Sequence, residues 1–478
     1  MDLSEDLLAG PNMDKVIKGR LEPQLLKELL DLGVEIQERL TEIDTDSKLS
    51  VMSELAERWR HALDAGELDY LINILSKKTG YCEKMIKMDL DYVITVLDPD
   101  SISISLEQSL PGGIESLDAF IEIESGEMYK CMPAGPVLIL GSGNSVIPCF
   151  ISGILSLMTN NFTLIRPSSA NSEAVFALFK MLKEMALEET PIAEIARELS
   201  NASLIFCASD ESETLKYLLE EAPLGVVNFW GDKITISKIT KAISMNSHHP
   251  RCCFLAPMTG YAVIHHGVNL EEAAHALAEA IVYYDQQLCS SPTEASFIGG
   301  FDAAKEFADE LGRALEELTK DFPIEKSEYE ANLVQRARNK LRMSGSYVIV
   351  PLDGGPAWTV AVSNRQSNLD RVFPSIKEFK LEVRRRFIEI IAVESERDVI
   401  ERLKSLKEKE PFSSIMGIQS VGLAVPDTVF EVITPILTEA GVHRIVPIRD
   451  MHLRSPIEPF DGKHMAREFI NILYVRKE

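Results

Sequence analysis

Short apolar runs alternate with amphipathic segments from residue 135 onward. Each run is followed by a loop of small or polar residues and then by apolar positions at helical spacing; the first four are GPVLIL, FTLIR, SLIFC and GVVNFW. This alternation is typical of βαβ units, whose parallel strands form a sheet with helices on both faces. A second series of strands is predicted at YAVIHH, EASFIG, SYVIV, WTVAV, FIEIIAV, SIMGIQ and GLAV. The chain is therefore predicted to have an α/β fold with two such regions.

The segments around these two series have other patterns. Residues 1–100 carry leucines at helical spacing among many charged residues and predict several amphipathic helices. Residues 101–110 alternate polar and apolar positions, which is typical of a strand, and AFIEIESGEMYKCM predicts a hairpin that turns at Ser125 and Gly126. The segment REFINILYV predicts a strand near the end of the chain, and a helix is predicted from about Leu270 to Leu288.

These patterns divide the chain into four parts. We expect a helical N-terminal region at 1–100, a first α/β domain at 101–260 with the hairpin near 117–131, a second α/β domain at 261–445, and a tail at 446–478 that carries the last strand. A chain of 478 residues exceeds the size at which one hydrophobic core keeps growing, so more than one domain is expected.

Charge and cysteine usage exclude several classes of protein. The formal net charge of -25, from 74 acidic and 49 basic residues, disfavours nucleic acid or an anionic membrane surface as the main partner. The longest apolar stretch, Val146 to Met158, is too short to span a bilayer. The first 15 residues lack the features of a secretory signal, and the seven cysteines form no C-x-x-C pair. We therefore expect a cytoplasmic protein with reduced thiols.

Two segments place ligand-binding groups at the ends of predicted strands. GPVLILGSGNSVIP ends its strand at Gly141 and Asn144, where backbone N–H groups and a side-chain amide gather, although such a turn also needs glycine for backbone reasons alone. FTLIRPSSAN delivers Arg166, followed by Ser168 and Ser169. A guanidinium there can hold a ribose hydroxyl or a 2′-phosphate, and the alternative is a surface arginine in a capping turn.

Two further segments carry candidate chemistry. VNFWGDKITI places Gly231 before a predicted helix whose positive end could face a pyrophosphate; the alternative is a plain loop with a packed Trp230. QQLCSSP places Cys289 among small polar residues at an element boundary, where a nucleophilic thiolate can be partly exposed, and taken alone it also fits an inert cysteine. The adjacent histidines at 248–249 and 265–266 lack the i,i+4 spacing of helical metal ligands, so no metal site is predicted.

In their order and spacing, these four segments resemble the motifs of the aldehyde dehydrogenase superfamily. GSGN resembles the turn with the catalytic Asn, IRPSSAN the Lys-Pro-Ser ribose motif, NFWGD the Phe-Thr-Gly-Ser loop beside the pyrophosphate, and QQLCSSP the Gly-Gln-x-Cys nucleophile segment. YYDQQLCSSP, RRFIEII, GVHRIVPI and a later FDG are similar to one branch, the LuxC-type fatty acyl-CoA reductases. The resemblance covers about residues 100–478.

The resemblance implies a Rossmann-type cofactor domain, an α/β catalytic domain and small β oligomerisation elements, and hence a homo-oligomer. It implies reduction of an acyl-CoA by NADPH or NADH, with CoA as the leaving group and an acyl-enzyme on Cys289, whose oxyanion Asn144 holds. An acyl-protein synthetase is a candidate partner. The implied cofactor contacts are Leu140, Gly141, Ser142, Arg166, Ser168, Ser169, Trp230, Gly231 and Phe387.

Departures from the superfamily's motifs keep two alternatives open. Hydrolytic members carry Glu-Leu-Gly-Gly before the cysteine, whereas the corresponding RCCFLAPMTGYAVI has no acid, which favours transfer to a thiol over water. Only Phe387 keeps part of the Glu-x-Phe-Gly-Pro motif, and Asp232 replaces a Ser beside the expected pyrophosphate. The alternatives are a hydrolytic aldehyde dehydrogenase and an acyl-accepting subunit without redox activity. The run at 384–386, three arginines, could attract a phosphate of CoA but is interpreted as a solvated face, because charge runs more often are.

Overall fold

The structure, a computed structural model, describes residues 6–9, 19–21, 23–255, 258–372, 384–406 and 417–477. The chain forms two compact units. The first unit comprises Met1–Thr79, Ile86–Leu255 and Ser455–Glu478, and the second unit comprises Gly80–Met85 and Ala256–Arg454. Two predictions concern residues outside the described ranges. Most of residues 1–15, which were predicted to lack a secretory signal, lie there, as do residues 414–416 of SIMGIQ.

The N-terminal part of the first unit is helical. Two short strands, β1 (Asp6–Ala9) and β2 (Gly19–Arg20), precede five helices: α1 (Pro23–Thr41), α2 (Thr45–Asp64), α3 (Asp69–Thr79), α4 (Glu83–Leu97) and α5 (Pro99–Ser109). Asp44 caps α2 by accepting a hydrogen bond from Ser47 N. Trp59 of α2 is fully buried, and its indole N–H donates to the Leu90 carbonyl of α4. These contacts fasten the helices to one another.

The strand-like alternation of residues 101–110 is wrong as a structural prediction, because most of this stretch lies in helix α5. Asp98 caps this helix by accepting a hydrogen bond from Ser101 N, and Pro99 occupies its first turn. Ile102 and Leu106, four residues apart, both lie on the buried face. Five alternating positions fit either period, and the cap decides in favour of the helix.

A seven-stranded sheet forms the centre of the first unit. After β1 and β2, its strands are β5 (Val137–Leu140), β6 (Thr163–Arg166), β7 (Ser203–Phe206), β8 (Val226–Trp230) and β9 (Arg251–Leu255), and its order is β2-β1-β7-β6-β5-β8-β9. Strands β5 to β9 are parallel, as the βαβ pattern predicts for β5 to β8; β9 is an additional strand that was not predicted. The connections contain α6 (Ile147–Met158), α7 (Ser172–Met185), α8 (Ala193–Asn201), α9 (Glu213–Glu220) and α10 (Lys233–Ile243). The strand order reverses between β5 and β8, and α/β sheets bind ligands at the carboxyl end of such a reversal.

The predicted hairpin and the predicted last strand belong to a small antiparallel sheet. Strands β3 (Ile121–Glu124) and β4 (Glu127–Pro133) turn at Ser125 and Gly126, where Gly126 has a φ of +77°. Helix α17 (Met465–Glu468) leads into β17 (Ile470–Arg476), which pairs with β4. The hairpin and the terminal strand are therefore confirmed as elements.

The second unit contains another seven-stranded sheet, in the order β12-β13-β14-β11-β10-β15-β16. Its strands are β10 (Thr259–His265), β11 (Pro292–Ile298), β12 (Tyr347–Ile349), β13 (Thr359–Asn364), β14 (Phe387–Val393), β15 (Ile418–Ala424) and β16 (Arg444–Pro447). All are parallel to their neighbours except β12. The helices are α11 (Leu270–Val282), α12 (Phe301–Asp321), α13 (Glu328–Met343), α14 (Asn368–Val372), α15 (Glu396–Leu406) and α16 (Asp427–Glu439). Helix α11 ends six residues before the predicted Leu288.

Candidate active site

Three of the predicted segments meet at the carboxyl edge of the first sheet. Leu140, the last residue of β5, lies beside Arg166 of β6 and beside Phe229 of β8 in the strand register. The turns that follow these strands carry Ser142, the pair Ser168–Ser169, and Gly231. The structure therefore brings together eight of the nine predicted cofactor contacts within the first unit, and the ninth, Phe387, belongs to the second unit.

The turn after β5 orients the amide of Asn144. The Ser142 hydroxyl donates a hydrogen bond of 2.8 Å to Asn144 Oδ1, so the opposite end of the amide carries the Nδ2 donor. The side-chain amide of Asn171 donates to the carbonyl oxygens of Ser142 (3.0 Å) and Ser145 (2.7 Å). These bonds fix the backbone on both sides of Asn144.

A carboxylate from helix α4 holds the same turn from the other side. Asp89 is buried, and it accepts hydrogen bonds from the Ser145 hydroxyl (2.7 Å) and from Val146 N (3.0 Å). It thereby satisfies a backbone donor at the start of helix α6. Sequence reasoning missed Asp89, because nothing in an amphipathic helix distinguishes a buried acid from a solvated one without its partner.

Gly141 has a packing reason to be glycine. A Cβ atom at this position would collide with the sulfur of Cys149, a fully buried residue of helix α6. Burial also raises the pKa of the Cys149 thiol to about 12, so this thiol is protonated near neutral pH and is no nucleophile. The close approach lets α6 start directly behind the turn that carries Asn144.

Arg166 is held by groups from the loop after β7. Its Nε and Nη2 atoms donate to the Ala208 carbonyl at 2.9 and 2.7 Å, and Nη2 lies 2.6 Å from the exposed carboxylate of Asp210. Ser169 is exposed, and its carbonyl accepts from Lys78 Nζ. Within the described part of the chain, the buried Ser168 hydroxyl has no hydrogen-bond partner. An unsatisfied hydroxyl at this edge is what a hydrogen-bonding ligand would complete.

The turn after β8 departs further from a dinucleotide site. Trp230 is half-buried, and its indole N–H donates to Ser152 Oγ and Asn228 Oδ1, both at 3.0 Å. Asp232, not Gly231, caps helix α10, and its carboxylate accepts from the backbone N–H groups of residues 234 and 235. Burial opposes ionisation of Asp232, but hydrogen bonds from Thr235 outweigh it and lower its pKa. The helix terminus expected to face a pyrophosphate is therefore occupied by a negative charge.

The described residues thus fit a nicotinamide cofactor unevenly. The reversal of strand order, Arg166 and the unsatisfied Ser168 hydroxyl suit the ribose of a dinucleotide. Asp210 and Asp232 place negative charge beside the positions assigned to its phosphates. The fit is good on the ribose side and poorer on the pyrophosphate side.

In the second unit, Cys289 is half-buried in a loop that begins with strained backbone. After α11 ends, Tyr284, Asp285 and Gln286 have φ values of +54°, +51° and +66°. Non-glycine residues rarely adopt this left-handed conformation, and a run of three requires support from the surroundings. The loop re-enters the sheet at Pro292, the first residue of β11.

Side chains on both sides of the loop supply that support. Arg386 is fully buried, and its Nε donates to Asp285 Oδ1 at 2.8 Å while its Nη1 donates to the Phe322 carbonyl. Gln286 Nε2 donates to the Pro292 carbonyl at 2.7 Å, which bridges the segment that contains Cys289. Residues 287–291, which carry the predicted nucleophile and are called the nucleophile loop below, are therefore tied at both ends.

The arginine run is not a solvated face, so that interpretation is wrong. Arg384 and Arg386 are 2% and 0% exposed, and Arg385 forms an ion pair with Glu330. Arg384 donates to the Thr293 carbonyl. Their partners lie up to 101 residues away in the chain, which is why the run alone gave no sign of burial.

Two backbone groups complete the surroundings of the loop. Phe387 is fully buried, and its N–H donates to Gln286 Oε1 at 2.9 Å. Its backbone therefore contacts the segment leading to the nucleophile, while its ring has no exposed surface. Gly260 N donates to the Ser291 carbonyl, and a Cβ atom on Gly260 would collide with the Ser290 carbonyl oxygen. Glycine at 260 thus permits the loop to lie against β10.

Among the described residues, Cys253 is excluded as a nucleophile by its burial. Burial raises the pKa of Cys253 to about 11, which keeps this thiol protonated near neutral pH. Histidine, cysteine and acidic side chains of the described residues form no cluster of three that could hold a metal ion. Among the described helices, none combines the length and apolar character needed to cross a membrane.

Solved structures place this architecture in one class. Lactaldehyde dehydrogenase from Escherichia coli superposes with a TM-score of 0.68 over 98% of this chain and 95% of that chain, at 13% identity. The glyceraldehyde-3-phosphate dehydrogenase GapN from Methanocaldococcus jannaschii, complexed with NADP, gives 0.67 over the full length of both chains, also at 13% identity. The chain has the aldehyde dehydrogenase fold, as the motifs predict.

The sequence match is more specific than the fold. The profile of the family described as acyl-CoA reductase (LuxC) matches residues 40–472, and the chain belongs to this family. The long-chain acyl-protein thioester reductases of Aliivibrio fischeri and Vibrio harveyi are 23% and 22% identical over 314 and 312 residues. These matches cover 66% and 65% of this chain, and 62% of each relative. The chain thus spans less than two thirds of the length of these relatives.

Proposed function

We propose that this protein reduces an acyl-CoA thioester to the aldehyde, using NADPH or NADH and a covalent acyl-enzyme on Cys289. The observation that carries the proposal is the nucleophile loop, which presents a half-buried cysteine directly after three residues of strained backbone that buried hydrogen bonds hold in place. Strain of this kind is retained where function requires it. Membership of the acyl-CoA reductase (LuxC) family supports the same chemistry.

The proposed reaction begins at the sulfur of Cys289. The thiolate attacks the thioester carbonyl, and the Asn144 amide together with the Cys289 backbone N–H donates to the resulting oxyanion. The carbon–sulfur bond to CoA breaks, CoA leaves as a thiolate that takes up a proton, and the acyl group stays on Cys289. A bound nicotinamide cofactor supplies a hydride to the acyl carbon. The resulting thiohemiacetal anion collapses to the aldehyde, the carbon–sulfur bond breaks, and the departing Cys289 sulfur takes up a proton.

The residues of the first unit would hold the cofactor in this scheme. Arg166 and the Ser168 hydroxyl are the groups we assign to the adenosine ribose, at the edge where the strand order reverses. Arginine suits a 2′-phosphate, but Asp210 already pairs with it, so both NADPH and NADH remain candidates. No acid occurs in RCCFLAPMTGYAVI, which supports thiol exchange over hydrolysis.

The relatives' names and the fold supply the candidates for the acyl donor and for the partners of this protein. Several relatives are named long-chain acyl-protein thioester reductases, so an acyl-protein thioester is the alternative acyl donor and an acyl-protein synthetase a candidate partner. A homo-oligomer formed through the small sheet and a cytoplasmic location stay predictions. The exposed side chains of Ile472, Leu473 and Tyr474 on β17 support the first of these.

The experiment compares wild type with Cys289→Ala in NADPH and NADH oxidation, using acyl-CoAs from acetyl to palmitoyl. Cysteine-dependent turnover supports the reductase, and the chain-length profile identifies the substrate. Cys252→Ala, which removes an exposed cysteine, is the matched control and should keep full activity. Covalent labelling by acyl-CoA that persists in Cys289→Ala would overturn the assignment.

A second candidate function is an acyl-accepting subunit without redox activity. The negative charges of Asp210 and Asp232 beside the assigned phosphate positions favour it. Titration with NADPH and NADH discriminates the two functions, because the subunit would be acylated on Cys289 without binding either cofactor. Activity with an aldehyde and NAD(P)⁺ in the absence of CoA would instead indicate a hydrolytic dehydrogenase.

A further inference from the structure

We infer that Gln286 is a positioning residue, which holds the nucleophile loop in the geometry that Cys289 needs to attack a thioester. The inference rests on the proposed role of Cys289. Gln286 lies three residues before Cys289 and has almost no exposed surface. Its side chain forms two hydrogen bonds, and both connect the ends of the loop to the sheet of the second unit.

The two bonds use both ends of the amide. Gln286 Nε2 donates to the Pro292 carbonyl at 2.7 Å, and Gln286 Oε1 accepts from Phe387 N at 2.9 Å. Pro292 begins β11, and Phe387 begins the neighbouring strand β14. The amide thus bridges residues 286 and 292 on either side of Cys289 and ties this bridge to a second strand. A carboxylate could make the bond to Phe387 N but not the bond to the Pro292 carbonyl.

The backbone of Gln286 shows that the side chain has a specific role. Its φ of +66° lies in the region that glycine enters without strain and that other residues adopt only with backbone strain. The resembling Gly-Gln-x-Cys motif has glycine at this position. The two hydrogen bonds of the Gln286 side chain, which glycine cannot form, explain why glutamine occupies this strained position.

The neighbouring ion pair between Asp285 and Arg386 fixes the backbone before the loop, but it does not connect the two ends of the loop. Asp285 is held by the buried Arg386, which fastens the chain before residue 286. Gln286 is the residue whose side chain reaches across to the far end at Pro292. Misplacing a reacting atom by about 1 Å can slow a reaction by roughly a hundredfold, so small movements of this loop have large effects.

The test measures single-turnover acylation of Cys289 by palmitoyl-CoA or acetyl-CoA in full-length Gln286→Glu and Gln286→Gly variants. Mass spectrometry of the acylated peptide follows the reaction, and iodoacetamide alkylation reports the exposure of the thiol. Gln335→Glu, on the exposed face of α13, makes the same chemical change away from the loop. We expect both Gln286 variants to acylate at least about tenfold more slowly, with the KM for acyl-CoA within about twofold and alkylation no slower than in wild type.

Acylation within about twofold of wild type in either folded Gln286 variant overturns the inference. If Gln286→Glu does not fold, Gln286→Gly decides, because glycine suits the backbone at this position. Failure of the proposed function looks different. Acyl label on residues other than Cys289 overturns that function, whereas label confined to Cys289 with unchanged rates in the Gln286 variants overturns only the positioning role.

Discussion

Asp89 accepts a hydrogen bond of 2.7 Å from the hydroxyl of Ser145, although the two residues lie 56 positions apart in the chain. Asp89 belongs to the helical N-terminal region, and Ser145 directly follows Asn144, the residue to which we assign the oxyanion. The carboxylate also accepts from Val146 N. The helical region, whose sequence shows no chemical motif, therefore supports the turn that carries Asn144.

Asp89→Ala is expected to lower kcat through Asn144. The substitution leaves the buried Ser145 hydroxyl and Val146 N–H without their acceptor, which costs about 1–3 kcal/mol of stability and loosens the turn. We expect kcat for acyl-CoA reduction to fall about tenfold when it is measured under conditions in which the variant stays folded. A double-mutant cycle with Asn144→Ala isolates the cause, since Asp89→Ala should add little once the amide is gone.

The same double-mutant cycle can contradict the role of Asp89 in supporting Asn144. If the effects of Asp89→Ala and Asn144→Ala on kcat multiply, the carboxylate affects kcat independently of the Asn144 amide. Asp91→Ala is the matched control, because Asp91 lies on the exposed face of the same helix. It should leave both kcat and the unfolding midpoint close to those of wild type.

Asp232→Ser is expected to tighten cofactor binding without loss of stability. Serine caps helices about as well as aspartate, so the free energy of unfolding should change by less than about 0.5 kcal/mol. The substitution removes a negative charge from the N-cap of α10. An anion at a helix N-terminus is stabilised by about 0.3–1 kcal/mol. A cofactor phosphate gains this interaction once the carboxylate is gone, so the Kd for NADPH should fall by about two- to fivefold.

Fluorescence titration with NADPH measures this effect, and Asp232→Asn serves as the second neutral cap. A Kd that stays constant in both variants would show that no phosphate binds near α10. A weaker complex in both would show instead that the carboxylate contacts the cofactor directly, for example at a ribose hydroxyl.

Asp210→Asn is expected to shift cofactor preference toward NADPH. The carboxylate of Asp210 lies 2.6 Å from Arg166 Nη2, where it competes with a 2′-phosphate for the guanidinium and repels it. The pair is exposed on the Asp210 side, so the change should be modest. We expect the ratio of kcat/KM for NADPH over NADH to rise about fivefold, equivalent to about 1 kcal/mol.

Steady-state kinetics with both cofactors provides the measurement. Glu211→Gln makes the same charge change one residue along the loop and should leave the ratio within about twofold. An equal shift in both variants would mean that overall charge, and not the contact with Arg166, sets the preference.

The sequence predicted the elements of the fold correctly where turn residues bound a clear apolar run. Four parallel strands at 137–230 and the hairpin at Ser125 and Gly126 were predicted correctly, because each has an apolar run bounded by turn residues, whereas β9 at 251–255 was not predicted. Residues 101–110 were predicted incorrectly, because five alternating positions are too few to separate the two periods. There, the cap at Asp98 decides the structure.

The supports of the candidate site could not be predicted, for a different reason. Cys289 and Asn144 stand in recognisable motifs, whereas Asp89 and Arg386 act through partners 56 and 101 residues away. A charged residue is usually solvated, and only the fold shows which charges are buried with a partner. The end of α11 at Val282 was equally hidden, since the left-handed residues after it contain no glycine.

The last prediction concerns the buried charges of the second unit. Glu294 of β11 lies beside Glu389 of β14 in the strand register, and both are almost fully buried. Arg402 Nε donates to Glu294 Oε1 at 2.6 Å, and its Nη1 donates to Asp370. Burial raises the pKa of Glu389, and the charge of Glu294 raises it further. Arg402 therefore balances the charge of Glu294, the carboxylate that lies beside Glu389.

Arg402→Met should reduce the free energy of unfolding by about 3–5 kcal/mol, because it leaves the buried carboxylate of Glu294 without its ion-pair partner. In the variant one of the two carboxyl groups retains a proton that the unfolded chain releases above about pH 4.5. A native state that binds the extra proton loses stability as pH rises, so the loss should be larger at pH 8 than at pH 5. Urea denaturation at the two pH values measures it. Adding Glu294→Gln should recover most of the loss and remove its pH dependence, and an equal loss at both pH values would show that packing, not charge, is what Arg402 supplies.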